Sequence, residues 1–510
     1  MSISNINFKD RIFHSAFYRI IGRIVTVLIA ILITPFLMRH LGEEMYGLWL
    51  LIIATVGWAR FIDLGFSAAV QRSIAIALEA EDKDRINTIY SCAVVLYSIL
   101  GLFAAGAIAV LSFFPMFLGV EAEFYDVVSL SLLVLSIKVL WDLGMCCFHG
   151  FFSGLLRYDI DANINTANEV LKALVIFALV PEFGVLGAVA ATMVSDFVTN
   201  VYKIFYVRKI YPDFFFSMGL VKKVEFLNLF HYSKHIVLLT IAKTFGNNTD
   251  LLIISHLLGL TAVAIFGISK RLVFMVEELY LTVLGMFLPV FTRLMERKDD
   301  IREEVEQVFD LNFYLVVVCF IPLVIFAQQF ILLWLGEGFE QSRILVAGLA
   351  FAFLCRCISR PVETLLLAKA RHSGLSVLKI IQLIVQLVLA VLLGSSMGIF
   401  GVLFATVISF YIGEVLLMLV LYKKHSGYPV AGLVLKFVRA NALLAAGALV
   451  GIYVIDLVSP LSWLTITLYS GVTSIIVAVV CWFLLVGKNL RELILRTAKS
   501  NLGRLSSFSG

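Results

Sequence analysis

A chain of 510 residues that is 61% hydrophobic and only 15% charged, with a mean hydropathy of +1.00, has lipid rather than water as its solvent. That composition excludes a soluble globular domain, and the short connections between apolar runs exclude a folded domain outside the membrane. The net charge of +5 is accounted for by the placement of its basic loops, which excludes a nucleic-acid-binding surface.

A helix needs about 20 apolar residues to cross the hydrocarbon core. Only helices and closed barrels satisfy every backbone hydrogen bond there, and these runs lack the alternation of barrel strands. In chain order the spans are predicted near 14 to 38, 46 to 66, 88 to 114, 126 to 150, 162 to 182, 184 to 206, 229 to 257 and 261 to 291. They continue near 308 to 334, 343 to 367, 374 to 395, 398 to 422, 432 to 457 and 462 to 486. The expectation is an all-α polytopic membrane protein of about 14 transmembrane helices. Met1 to Asp10 is polar with mixed charge, and no small-residue cleavage site follows a short apolar core, so no removable signal peptide is expected.

Short cytoplasmic loops retain lysine and arginine. Alternate loops here hold Lys9 and Arg11; Arg72, Lys83 and Arg85; Arg157; Lys203 to Lys223; Arg293 to Arg302; Lys369 and Arg371; Lys423, Lys424 and Lys436; and Lys488 to Lys499. The opposite turns hold Arg39 and Arg343 at their edges, with Glu121, Glu123, Asp126, Glu182, Glu337 and Asp456. Both termini are therefore expected in the cytoplasm, with an even number of spans.

The seven cysteines lie in or beside apolar spans, and Cys355 and Cys357 are too close together for common zinc spacing. The eight histidines are scattered, and neither a Gly-rich phosphate loop nor a nucleophile-base order occurs. The expectation is a protein that is not an enzyme and that uses no cofactor or metal.

The most specific signal is a repeat. Phe183-Gly184-Val185-Leu186-Gly187-Ala188-Val189-Ala190-Ala191-Thr192-Met193-Val194-Ser195 matches Met397-Gly398-Ile399-Phe400-Gly401-Val402-Leu403-Phe404-Ala405-Thr406-Val407-Ile408-Ser409 at an offset of 214 residues. The register runs upstream through Asn168 and Gln382 to Arg157 and Arg371. Leu41-Gly42 before Leu48-Trp49 pairs with Leu258-Gly259 before Ile265-Phe266 at an offset of 217. Spans one to six thus duplicate spans seven to twelve. Six is even, so the copies enter the membrane in the same sense, related by a pseudo-two-fold along its normal and enclosing a site open to either face in turn. The expected organisation is an N-terminal six-helix bundle over 1–210, a second over 211–427, and two extra helices with a tail over 428–510.

Two six-helix halves with a Gly-x-x-Gly-Ala-type start to the sixth and twelfth spans resemble the multidrug/oligosaccharidyl-lipid/polysaccharide exporter superfamily. The likeness is strongest to its Wzx-type polysaccharide-unit flippases. It is carried further by Thr34-Pro35 leading into Leu41-Gly42-Glu43-Glu44-Met45-Tyr46-Gly47-Leu48-Trp49, by Asp63-Leu64-Gly65-Phe66-Ser67 with Arg72 beyond, and by Thr249-Asp250-Leu251-Leu252-Ile253-Ile254. The resemblance covers roughly 10 to 425. It implies alternating access by one bundle rocking against the other, with a polyprenyl-pyrophosphate-linked oligosaccharide as cargo. It further implies a monomer set in membrane lipid, working beside a polysaccharide polymerase and a chain-length regulator.

Ionisable side chains inside a span are functional candidates by default. Lys138 and Asp142, Glu169 and Lys172, Lys243 and Asp250, and Lys270 and Glu277 stand at helical spacing that puts opposite charges on one face, as do Arg356, Arg360 and Glu363. Arg19 and Arg23 share a face of the first span, which has no acid. Like charges repel and call for an external anion, whereas snorkelling to headgroups is the structural alternative. By analogy with related lipid-linked precursor flippases, Arg19 and Arg23 with Lys270 and Arg271 of the eighth span are the expected contacts of the cargo pyrophosphate. Asp250 with Lys243 is the expected ion-coupling pair, and Asp63 with Gly65 a hinge or helix cap. A cation-coupled multidrug antiporter is the alternative; that branch commonly bears a carboxylate in the first helix. A membrane polymerase or ligase would need a large outer loop, which is lacking, and duplicated bundles suit alternating access better than a channel.

Overall fold

The computed structural model describes residues 8–59, 66–154, 158–211, 215–284, 302–368, 372–426, 430–457, 462–488 and 490–492. Every regular element among them is helical: α1 (Phe8–Gly57), α2 (Phe66–Glu79), α3 (Lys83–Ser112), α4 (Tyr125–Met145), α5 (Cys147–Gly154), α6 (Tyr158–Ile210), α7 (Lys223–Leu258) and α8 (Leu260–Leu284). Then follow α9 (Arg302–Leu335), α10 (Ser342–Ala368), α11 (His372–Met397), α12 (Ile399–Leu416), α13 (Ala431–Leu457) and α14 (Trp463–Leu484). A π-helical stretch, Leu417–Tyr422, carries α12 into Lys423–Ser426. Among the described residues ten segments are long and apolar enough to cross a membrane. The chain is an all-α polytopic membrane protein. Two short helices, α2, which no predicted span anticipates, and α5, whose first half lies in the predicted span 126 to 150, pack together where Gly150 meets Val70 and the carbonyl of Ser67.

Two of the ten segments hold two predicted spans each. α1 contains 14 to 38 and most of 46 to 66, with Gly42 at φ 78°, ψ 171° between them. α6 contains 162 to 182 and 184 to 206, divided at Gly184, φ 53°, ψ −130°. The repeat mates have the same character: Gly259 between α7 and α8 has φ 83° and ψ 179°, and Gly398 between α11 and α12 has φ 61°. Gly42 and Gly259 therefore share one backbone conformation at the 217-residue offset, in a region that only glycine occupies without strain.

The second glycine of each Gly-x-x-Gly has a different task. A Cβ at Gly187 would stand 2.5 Å from the carbonyl oxygen of Leu179, and one at Gly401 would overlap the carbonyl of Leu393. Each glycine thus touches the backbone eight residues before it, which a straight helix cannot do at 1.5 Å rise per residue. The chain folds back on itself at Gly184 and at Gly398, and the motif is the mould of a one-residue hairpin. Hydroxyls repeat as well: Ser195 donates to Thr192 O at 3.2 Å, and Ser409 to Thr406 O at 2.9 Å.

By packing the chain divides into two units, 1–268 with 379–405 and 269–378 with 406–510. This division differs from the halves 1–210 and 211–427 expected from repeated sequence. In the first unit, a buried cluster of Phe66, Val70, Ile74, Ile89, Tyr97, Phe148, Phe151 and Phe152 joins α2, α3 and α5. The connection from α6 to α7 is strapped over α3. Phe215 N donates to Asn87 Oδ1 at 3.3 Å, Ser217 N to Ser91 Oγ at 3.2 Å, and Arg85 pairs with Glu225 at 3.3 Å.

In the second unit Asp310 of α9 fastens the last two helices. Its carboxylate pairs with Lys436 of α13 and accepts from Gly487 N, just past α14, at 2.7 Å. Asp310→Ala leaves a half-buried ammonium and a backbone N–H without their acceptor, a loss of about 1–3 kcal/mol. A lower thermal midpoint of the detergent-solubilised protein, with faster proteolysis after residue 430, is expected. An unchanged midpoint would show that apolar packing alone holds α13 and α14.

Candidate functional site

The first unit presents its cations on α1. Arg19 is exposed and Arg23 half-buried. Between them Gly22 crosses α6 so closely that a Cβ there would lie 2.5 Å from Thr166 Oγ1. Phe36 and Phe177 meet edge to face further along with ring centroids 4.5 Å apart, so α1 and the first arm of α6 run side by side.

Beyond that crossing a polar network ties α4 to both arms of α6. Lys138 Nζ lies 2.5 Å from Asp142 Oδ2 and 2.7 Å from Asp196 Oδ2. Asn168 donates to Asp196 Oδ1 at 2.6 Å, Thr199 to Asn168 Oδ1 at 2.9 Å, and Asn200 to Asp142 Oδ1 at 3.1 Å. Lys172 and Glu169 pair at 2.6 Å on the first arm. Both same-helix pairs expected from spacing are present. The second carboxylate, Asp196, is a partner that spacing within one helix could not reveal.

On α7, Asp250 is buried at 3% exposure and accepts from Leu251 N at 2.9 Å. Its polar neighbours bond back to their own helix, Asn248 to Thr244 O at 3.0 Å and Thr249 to Phe245 O at 2.8 Å. Asn248 also lies against Gly57 of α1, 3.4 Å from where a Cβ would be. Lys243 belongs to α7, but its side chain lies outside the described residues, as do Asp63 and Gly65.

In the second unit the acids and arginines form a sealed cluster. Arg356 of α10 grips Glu277 of α8 with two hydrogen bonds, one of 2.8 Å from Nε, and Arg360 lies 3.8 Å from Glu277 and 3.1 Å from Glu363. Glu414 of α12, fully buried, accepts from Ser359. The Arg356 guanidinium lies 4.3 Å from the Phe353 ring centroid, 5.4 Å from Phe274 and 5.7 Å from Phe410, which exclude water from the pair. Lys270 is buried one turn before Phe274, whereas Arg271, the next residue, is exposed, so the two point from different faces of α8.

Glu414 carried a sequence signal that the search for charge pairs passes over. It stands 214 residues after Asn200, the offset of the sixth-span repeat. Asn200 donates to Asp142 of α4, and at the repeat position Glu414 accepts from Ser359 of α10.

Residues 12–295 match the family described as "Polysaccharide biosynthesis protein". The chain is 21% identical over 414 residues to the uncharacterized membrane protein EpsK of Bacillus subtilis, covering 79% of this chain and 82% of that one. Among solved structures, it resembles the lipid II flippase MurJ in an inward closed conformation, with a TM-score of 0.67, 14% identity and coverage of 94% of this chain and 99% of the other. It also resembles a transporter of the MOP superfamily from Pyrococcus furiosus, with a TM-score of 0.63, 17% identity and coverage of 86% and 96%. With more than half of its length matched by that family, the chain belongs to the polysaccharide biosynthesis protein family, and nearly all of it shares the fold of these solved transporters.

Proposed function

We propose that the protein is a flippase that moves polyprenyl-pyrophosphate-linked oligosaccharide units across a bacterial inner membrane by alternating access, with both termini in the cytoplasm. The observation that carries this is the first span itself: two arginines, Arg19 and Arg23, on one face, and no carboxylate from 14 to 38. Guanidinium groups match a pyrophosphate in bidentate geometry, and an exposed cationic face attracts an anion and repels a cationic drug. The family description, which names polysaccharide biosynthesis, supports the glycan as cargo. The one-sided distribution of lysine and arginine supports the orientation.

In this reading Lys270 and Arg271 of α8 are further cationic contacts of the cargo pyrophosphate. Asp250 with Lys243 on α7 serves ion coupling, and Asp63 with Gly65 is a hinge. The protein works as a monomer that hands its units to a polysaccharide polymerase and a chain-length regulator.

The double variant Arg19→Ala/Arg23→Ala is expected to lower surface glycan at unchanged protein level. Each charge-assisted hydrogen bond is worth about 1.5–3 kcal/mol, so cargo affinity falls by about tenfold or more. Normal surface glycan in the double variant would remove both arginines from the site. Deleting the gene should strand lipid-linked units on the cytoplasmic side; unchanged glycan with reduced dye efflux would establish the antiporter instead.

A further inference from the structure

The two charged clusters differ in access. In the second unit the carboxylates are closed off, with side-chain exposures of 1% for Glu277 and 4% for Glu363. In the first unit Lys138, Asp142 and Asp196 retain 16%, 28% and 20%. All three lie within apolar helices, where an ion facing hydrocarbon costs several kcal/mol. That residual exposure is therefore to water inside the protein.

Charge is also unbalanced at the contact itself. One ammonium serves two carboxylates, and each carboxylate's other oxygen is already taken by an amide, Asn200 on Asp142 and Asn168 on Asp196. The surrounding groups are accounted for from every packed element. On the first arm of α6, Lys172 pairs with Glu169 and also acts electrostatically on Asp196. On the second arm Lys203, half-buried three residues beyond Asn200, is a second cation acting electrostatically on Asp142. On α1, Arg23 follows the Gly22 crossing at Thr166. On α3, Ser98 stands beside Gly144 and Tyr97 packs on Phe66. On α5, His149 is engaged by Asp161 at 3.0 Å.

We propose that Lys138, Asp142 and Asp196 form a proton-exchange site, in which the Lys138 ammonium is a tethered counter-ion shared by two carboxylates and one proton drawn from internal water releases it from one of them. The step is a simple transfer. A hydronium ion gives its proton to a carboxylate oxygen, water leaves, and the ammonium keeps a single ionic partner. Because the triad bridges α4 and the second arm of α6, with Asn168 of the first arm held on Asp196, protonation loosens the contact between these helices. Its use in driving transport rests on the flippase reading; the site itself does not. An acid-rich site open to water excludes the cargo pyrophosphate as its ligand.

The test is infrared difference spectroscopy of the carboxylic C=O stretch, on the full-length protein in nanodiscs of phosphatidylethanolamine and phosphatidylglycerol without cargo. The sample is titrated between about pH 8 and pH 5. A protonated-carboxyl band should grow on acidification and be absent from Asp142→Asn/Asp196→Asn. Lys138→Gln keeps a donor but removes the charge that opposes protonation, so the midpoint should rise by about one pH unit, tenfold in proton affinity, or more. Lys138→Arg should stay near wild type. A band that survives the double Asn variant, or an unmoved midpoint in Lys138→Gln, overturns the proposal. So does displacement of the proton when sodium replaces potassium. Should the double variant fail to accumulate, the two Lys138 variants decide the matter. No cargo is present, so a failure of the flippase reading leaves the spectrum unaffected.

Discussion

Arg356→Met is expected to cost about 3–5 kcal/mol and to remove most folded protein from the membrane. The reason is the carboxylate left behind. Among the described residues Glu277, 1% exposed, would keep Arg360 at 3.8 Å, beyond hydrogen-bonding distance, and the three phenylalanine rings would limit its solvation. The double variant Arg356→Met/Glu277→Gln removes both charges and should recover much of the loss, because the penalty lies in the orphaned ion rather than in the missing pair. Thermal midpoints and monodisperse yield after detergent extraction separate the two. A double variant no better than the single would assign the loss to packing instead.

The second large effect is expected at the hairpins. Gly401→Ala sets a methyl group into the carbonyl of Leu393, and Gly187→Ala sets one 2.5 Å from the carbonyl of Leu179. Neither obstacle is a side chain that can rotate away, so the cost should exceed the about 1–3 kcal/mol of ordinary overpacking. Gly184→Ala adds backbone strain of order 1–3 kcal/mol at φ 53°. Gly471, in the middle of α14, meets nothing within 4 Å, and Gly471→Ala should change stability by less than about 0.5 kcal/mol. Size-exclusion profiles of the four variants after moderate heating would rank them. Gly401→Ala behaving like Gly471→Ala would show that the two arms can part at no cost.

The spans were legible because lipid allows the backbone so few options. From α3 to α14 the predicted runs fall on helices, since a continuous apolar stretch inside a membrane has only the helix to satisfy its amides. The duplication was legible too, and the shared dihedrals of Gly42 and Gly259 give it a conformational meaning. Pairings across helices were less visible. Spacing finds Lys138 with Asp142 because both lie on one face of α4, but Asp196 arrives from another helix, and Glu277 finds Arg356 79 residues away. Same-helix spacing offered Glu277 only Lys270. Such contacts depend on which helices become neighbours, a property that hydropathy does not encode. Helix α2 has no predicted span because at 14 residues it is shorter than a membrane crossing, and the 8-residue α5 begins inside the predicted span 126 to 150.

A reversal made by one glycine has a bearing on biogenesis. Between the two arms of α6, or between α11 and α12, no hydrophilic stretch exists that could pause outside the bilayer while the first arm waits for the second. Each such couple is expected to leave the translocon together as a preformed helical hairpin, the arms shielding one another's amides and small faces before any other partner arrives. Epitope tags or glycosylation sequons inserted at these apices would pry the couple apart, and the long connections elsewhere are the places to label the chain.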